Sequence, residues 1–402
     1  MYGNIAVLAG FIFIYSAVSG RLSRSLFSGA IVFTAFGLVF GPVGLGVIAF
    51  EIEGEGLRLL AELTLALVLF IDASNANLGV LGRNIQFPSR LLLVGLPLTI
   101  LLGFGVGVLL FDSLTLLEVA ILATMLAPTD AALGKAVVTD ESVPANIREA
   151  LNVESGLNDG ICVPILFIFL ALVSSAGGGE ESGQLLALKL VVEEIGIGLV
   201  VGLGITFLGA SLLTYCGKRG WITESWRQLP VVVLAVTCFA LAQFLGGSGF
   251  IAAFAGGLLF GVLAGEHKHG LLLAAEGTGD TLALTTWVVF GAVVVGQSLG
   301  AFTWDVVLYS VLSLTLIRML PVFLALIGTG LGNSEKLFMG WFGPRGLASI
   351  VFGVIVLNEH LPGGDTITMT VVFTILLSVI AHGVSANPLV ALLASKVKRS
   401  QR

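Results

Sequence analysis

Long apolar runs recur along this chain of 402 residues, and they constrain its fold more tightly than any motif does. At about 20 residues per membrane crossing, they place spans near 4–20, 27–49, 57–76, 91–111, 117–136, 148–173, 187–215, 229–246, 250–264, 279–298, 303–328, 337–357 and 367–394. Backbone inside a bilayer must satisfy its own hydrogen bonds, so runs of this kind fold as helices. The expected class is therefore an all-α polytopic membrane protein of about 13 transmembrane helices. Charged residues make up only 11% of the chain, against about a quarter in soluble domains, which excludes an ordinary soluble enzyme. The 53 glycines are scattered through the apolar runs and suit close helix packing in lipid.

The connections between spans alternate in charge. Arg21 and Arg24, Arg83 and Arg90, Lys135 and Arg148, Lys218, Arg219 and Arg227, Lys268, Lys336, and finally Lys396, Lys398, Arg399 and Arg402 occupy every second one. The others carry Glu51, Glu53 and Glu55, Asp112, Glu180 and Glu181, Glu359 and Asp365, with Arg58 as their basic residue. Positive-inside bias then puts the N-terminus outside and the C-terminus in the cytoplasm, in a plasma (inner) membrane, and it requires an odd number of spans. Apolar sequence begins within a few residues of Met1 with no basic leader, so no cleaved signal peptide is expected.

With six spans on each side of a seventh, the two halves enter the membrane from opposite sides, as inverted repeats of a secondary transporter do. The division reads as residues 1–174 for the first repeat, 175–216 for a linker and connecting span, 217–394 for the second repeat, and 395–402 for a short basic tail. Ser174 to Gly183 is the most linker-like stretch, and Lys189 and Glu193 behind it form an i, i+4 pair. One correspondence between the halves is visible. The fifth span is interrupted at Ala127-Pro128-Thr129-Asp130, and the twelfth at Gly343-Pro344-Arg345-Gly346. Paired interruptions of this kind point to a midplane binding site.

The chemistry gathers at these breaks. Pro128 removes an N–H and turns Ala127 out of the helix, so carbonyls near Thr124 lose their partners. The unwound turn is expected to offer those carbonyls, the Thr129 hydroxyl and the Asp130 carboxylate, hard donors that suit a small cation. On the sixth span Ser155 and Asp159, and Glu154 and Asn158, are i, i+4 pairs lying in adjacent stripes. Gly156 and Gly160 leave room beside them for a neighbouring backbone, expected to be the fifth span. Carboxylates at this depth cost several kcal/mol unless they function or pair. Arg345 needs a counter-charge, with Glu154 or Asp130 as candidates. Asp72, in Phe70-Ile71-Asp72-Ala73, is either a wet helix end or a ligand on the cytoplasmic side, and Arg318 either snorkels or pairs.

Other features read as structural. Cys162, Cys216 and Cys238 show no metal or redox spacing and pack as small residues. His382 is expected to be a hydrogen-bonded packing residue, and His267 and His269 flank Lys268 in a loop. Gly277-Thr278-Gly279-Asp280 spells a motif of intramembrane aspartyl proteases, but it is placed at the opening of a span with Thr278 as N-cap and no Tyr-Asp partner. No basic stripe with interleaved aromatics suggests nucleic acid.

Ala127-Pro128-Thr129-Asp130, Asn152-Val153-Glu154-Ser155-Gly156-Leu157-Asn158-Asp159-Gly160 and Gly340-Trp341-Phe342-Gly343-Pro344-Arg345-Gly346 together resemble the monovalent cation:proton antiporter-1 family of sodium/proton exchangers, over nearly the whole chain and in span order. The resemblance implies crossed interrupted helices, a homodimer, no enzymatic activity, no cofactor, and the lipid bilayer, protons and monovalent cations as partners. It implies Asp159 as the carboxylate that binds Na⁺ or H⁺ in turn, with Ser155, Thr129 and Asp130 completing the oxygen shell and Glu154 in a structural ion pair with Arg345. Members often carry an acidic residue where this chain has Asp72, although the surrounding residues match imperfectly. Asn158 matches the electroneutral signature of the family. The expected function is Na⁺ (or Li⁺) exchange for H⁺, one for one, by alternating access. A K⁺/H⁺ antiporter of the same fold and a cation channel are the alternatives.

Overall fold

Every described element of the computed structural model is helical, as the absence of water in a bilayer requires. The structure describes residues 2–22, 28–48, 55–76, 86–130, 133–138, 140–176, 181–226, 229–265, 268–298 and 302–400. Arg24, Glu51, Glu53, Arg83, Glu180, Arg227 and Arg402 of the connections, His267, and Gly177 to Glu180 of the linker-like stretch lie outside them.

The helices follow the expected runs. They are α1 (Tyr2–Leu22), α2 (Gly29–Phe40), α3 (Glu55–Asn75), α4 (Gln86–Leu110), α5 in two pieces (α5a, Leu116–Met125; α5b, Lys135–Val138), α6 (Ala145–Ala176) and α7 (Glu181–Lys218). There follow α8 (Leu229–Phe244), α9 (Gly249–Ala264), α10 (Lys268–Val289, continuing through Phe290–Val295 and Gly296–Ser298) and α11 (Trp304–Leu314 and Leu316–Ala325). The last two are α12, again in two pieces (α12a, Asn333–Trp341; α12b, Leu347–Asn358), and α13 (Gly364–Ser400). Among the described residues, 7 helices are long and apolar enough by themselves to cross a membrane. α2, α8 and α9 are shorter, and α3 is charged by Arg58, Glu62 and Asp72.

Three boundaries differ from expectation. α10 starts at Lys268, so Gly277 to Asp280 lie inside a helix, and Thr278 is no N-cap: its hydroxyl donates back to Ala274 O at 2.7 Å. α11 is broken at Thr315, whose backbone leaves the helical region (φ −108°, ψ −94°). α13 continues to Ser400, through most of the expected basic tail. The surface pair Lys189–Glu193 forms as expected, at 3.8 Å.

Two groups of neighbours build the molecule. In one, α9 packs on α3, α7 and α8, and α10 packs on α2 and α3. The approach is close enough for Ser74 Oγ to donate to Gly257 O at 3.0 Å and for Ser248 N–H to donate to Glu194 O at 3.1 Å. In the other, α5a lies between α4 and α6, α11 packs on α4, α12a and α13, and α12b lies on α13. Each group draws helices from both sides of α7. The groups meet where α6 packs on α7, α3 and α9, and where α12b faces α3. There Gly156 lies against the Asp72 carbonyl and Gly160 against the Phe254 ring of α9. The neighbours that these glycines admit are thus α3 and α9, not the fifth span.

Candidate functional site

α5a starts on a reciprocal cap. Glu118 N–H donates to Thr115 Oγ1 at 3.3 Å, and Thr115 N–H donates to Glu118 Oε2 at 2.9 Å. The helix ends where Pro128 takes away a donor. Ala127 N–H closes a tight turn onto Thr124 O at 3.3 Å, and the next carbonyls are left without helical partners.

Those carbonyls are taken by the other break. Ser349 Oγ, in α12b, donates to Met125 O at 2.8 Å. The Arg345 guanidinium, fully buried, donates from one nitrogen to Ala127 O and to Pro128 O, the latter at 2.9 Å. Asp130 N–H donates to Pro344 O at 2.8 Å. In return, the Asp130 carboxylate accepts from Leu347 N–H, the first residue of α12b, at 2.8 Å, and from Leu133 N–H at 3.2 Å. A carboxylate at a helix N-terminus is stabilised by the orphan donors and by the helix dipole. The two interrupted elements therefore cross and cap each other. This corrects the expectation that the freed carbonyls are open donors, since the Ala127 and Pro128 carbonyls hold Arg345.

Gly343 and Gly346 permit this approach. A methyl group at Gly346 would collide with the Asp130 carboxylate, and one at Gly343 would collide with the Arg318 guanidinium.

On α6, Glu154 and Arg318 are each 1% exposed and form a two-pronged pair, with Nη1 to Oε1 at 2.6 Å and Nη2 to Oε2 at 2.8 Å. The expected Glu154–Arg345 pair is thus not the one formed. Arg318, at the second piece of α11, reaches Glu154 across the α12 break, while Arg345 turns to the α5 carbonyls. Sequence reasoning had a signal for this. A guanidinium inside a span must be neutralised, and the rule applies to Arg318 as firmly as to Arg345.

One turn further, the polar groups come together. Thr129 Oγ1 lies 2.9 Å from Ser155 Oγ and accepts from Asn158 Nδ2 at 2.8 Å. Asp159 is 7% exposed, and its Oδ1 has no hydrogen-bond partner, as is also true of Asn158 Oδ1. Asp130 and Asp72 both lie within electrostatic reach of Asp159. Asp72 in turn feels Asp280 and Glu276 of α10, and Asn75 Nδ2 donates to Glu276 Oε1 at 3.0 Å. Sequence reasoning did not connect Glu276 and Asp280 with Asp72, because nothing local relates α3 to α10. Among the described residues no group of three or more His, Cys, Asp and Glu side chains could hold a metal ion. The site is a buried carboxylate, with the hydrogen-bonded Thr129, Ser155 and Asn158 side chains on the neighbouring positions of the break and of α6, and two further carboxylates within electrostatic reach.

Comparison with known proteins follows this geometry. The family described as "Sodium/hydrogen exchanger, transmembrane" matches residues 7–392. A K(+)/H(+) antiporter, NhaP2 of Shewanella oneidensis, is 23% identical over 388 residues, which cover 94% of this chain and 64% of the relative. The chain thus spans slightly less than two thirds of that relative's length. A Na(+)/H(+) antiporter of Schizosaccharomyces pombe is 24% identical over 421 residues, covering 96% of this chain and 89% of its own. The solved structure of the sodium proton antiporter MjNhaP1 from Methanocaldococcus jannaschii is similar in fold, with a TM-score of 0.77 at 20% identity, over 94% of this chain and 98% of that one.

Proposed function

Since the chain belongs to the sodium/hydrogen exchanger family, we propose that it is a secondary antiporter that exchanges Na⁺ or Li⁺ for H⁺ at Asp159. The observation that carries this reading is the Asp159 carboxylate, buried and with an oxygen that no described group engages. An ionised carboxylate held in this way needs a cation or a proton, and the two compete for the same oxygens. The Ser155 and Thr129 hydroxyls meet each other, with Ser155 one helical turn from Asp159, and Asp130 and Asp72 add negative charge within reach. Because Asp130 is engaged in capping α12b, its part in holding the cation is electrostatic first. Competition for one carboxylate, joined to alternating access, is sufficient for exchange without ATP or a cofactor.

Asn158 cannot ionise, and its amide holds Thr129, so the cycle carries one cation against one proton and moves no net charge. Glu154 and Arg318 form the structural ion pair of this scheme. The protein works as a homodimer in the plasma or inner membrane, with its N-terminus outside and its C-terminus in the cytoplasm.

The names of the Shewanella relatives support a second reading, in which K⁺ replaces Na⁺ at the same carboxylate. Exchange in proteoliposomes tests both. A proton gradient should be dissipated by Na⁺ or Li⁺ and not by K⁺, and Asp159→Asn should reduce the signal to background. Retained exchange in that variant would remove Asp159 from the site, and a response to K⁺ alone would favour the second reading.

A further inference from the structure

A helix that is cut leaves a carbonyl on one side and an N–H on the other without partners. At the α12 break, the pair that an uninterrupted helix would join is Trp341 C=O and Arg345 N–H, residues i and i+4. Both are met by α13. Arg345 N–H donates to Ser378 Oγ at 2.7 Å, Ser378 Oγ lies 3.1 Å from His382 Nδ1, and His382 Nε2 lies 2.8 Å from Trp341 O. Trp341 O also accepts from Gly343 N–H at 2.8 Å, which uses its second lone pair. Ser378 is fully buried and His382 is 2% exposed. The two aromatic rings lie 5.1 Å apart, and Trp341 Nε1 donates to Ser385 Oγ, one turn further along α13, at 2.8 Å.

The donors can be assigned by elimination. Trp341 O only accepts, so His382 Nε2 carries a proton. Ser378 Oγ accepts from Arg345 N–H and keeps its own proton, so it can donate to an unprotonated Nδ1. The alternative is a proton on Nδ1 directed at Ser378 O, 2.9 Å away, which would make the ring a cation. The charged groups acting on that ring are Arg345 of α12 and Arg318 of α11, both positive, and both oxygens of Glu154 are already on Arg318. A third positive charge has no counter-charge there, so the ring is neutral.

We infer that Ser378 and His382 are positioning residues: through one neutral relay they replace the helical hydrogen bond missing at the α12 break, and so hold Arg345 on the Ala127 and Pro128 carbonyls. The relay runs from Arg345 N–H to Ser378 O–H to the imidazole to Trp341 C=O. It keeps α12 open at the place where α5 crosses it. Only the transport readout of the test depends on the antiporter reading.

The test has two arms. Ala381–His382 is the only Ala–His peptide in the chain, so nuclear magnetic resonance of lipid-embedded protein labelled at alanine carbonyl carbon and histidine nitrogen can assign this ring without a variant. The expected result at neutral pH is a neutral ring with its proton on Nε2. A proton on Nδ1, or a doubly protonated ring, overturns the inference. The second arm measures the cation concentration for half-maximal exchange in proteoliposomes. His382→Ala and Ser378→Ala should each raise it about tenfold, the value of one buried hydrogen bond, and the double variant should be no worse than either, because they break one relay. His382→Gln, whose amide can donate to Trp341 O, should stay within about threefold of the native protein. Native behaviour in His382→Ala, or additive losses in the double variant, overturns the inference. If the native protein itself does not exchange cations, the antiporter reading fails, and the resonance arm alone decides the relay.

Discussion

Glu154 illustrates how a buried charge is settled residue by residue. Its two oxygens face the two terminal nitrogens of Arg318, the planar arrangement that makes arginine the favoured partner of a buried carboxylate. Arg345 hydrogen-bonds to no carboxylate among the described residues; one of its nitrogens is held by the Ala127 and Pro128 carbonyls instead. Removing one member of a buried pair leaves the other charge uncompensated, which costs about 3–5 kcal/mol, whereas removing both costs far less. Arg318→Gln should therefore lower the heat-unfolding midpoint in detergent sharply, and adding Glu154→Gln should recover most of the loss. Equal damage from the double and single variants would show that the pair is not what Arg318 supports. Of the three cysteines expected to pack as small residues, Cys162 and Cys238 are buried free thiols, whereas Cys216 is only half-buried.

The interrupted elements α5 and α12 work as a unit. Each break frees backbone groups that the other break, or α13, takes up, and the Asp130 carboxylate caps α12b while Pro344 O accepts from Asp130 N–H. The close contact at Gly346 puts this to a test. Gly346→Ala drives a methyl group into the Asp130 carboxylate. It should cost about 1–2 kcal/mol, as loss of an N-cap does, and it should weaken cation exchange because Asp130 moves relative to Asp159. Gly353→Ala is the control on the same half-helix, since the added methyl would meet nothing nearer than Val371 Cγ1 at 3.8 Å. Thermal unfolding and the half-maximal cation concentration report the two effects separately. Equal behaviour of the two variants would sever the link between Gly346 and the carboxylate. Lys268 to Ser298 differs from expectation at this scale, because the Gly277–Asp280 stretch does not open the helix but lies within it.

For the whole molecule, the seam between the two helix groups passes beside Asp159, where α3 presents Asp72 to α6. The proposed exchange needs motion of one group against the other that opens the carboxylate to each face in turn. Stoichiometry is also a property of this scale. In the proposed cycle, with Asn158 neutral and Glu154 held by Arg318, Asp159 would be the group that trades a proton for a cation. The exchange equilibrium in proteoliposomes should then be unchanged when the membrane potential is clamped at different values. A potential-dependent endpoint would mean that a second carboxylate, Asp130 or Asp72, loads with Asp159.

The helical class, the order of spans, the two interruptions and the carboxylates at their depth were all legible in the sequence. Each follows from a local rule: a bilayer demands internal hydrogen bonds, proline deletes a donor, and a charge in lipid must be used or neutralised. Such rules say which groups lose partners, but not who replaces them. That Arg318 and not Arg345 holds Glu154, that Arg345 occupies the carbonyls freed at Pro128, that Asp130 caps α12b, and that Ser378 and His382 bridge the α12 break were decided by the tertiary structure. The partners stand 164 residues apart for Glu154 and Arg318 and 217 for Pro128 and Arg345. At such separations a missing hydrogen bond or an unpaired charge is satisfied by whichever group packing brings within about 3 Å, and packing is a property of the assembled helices.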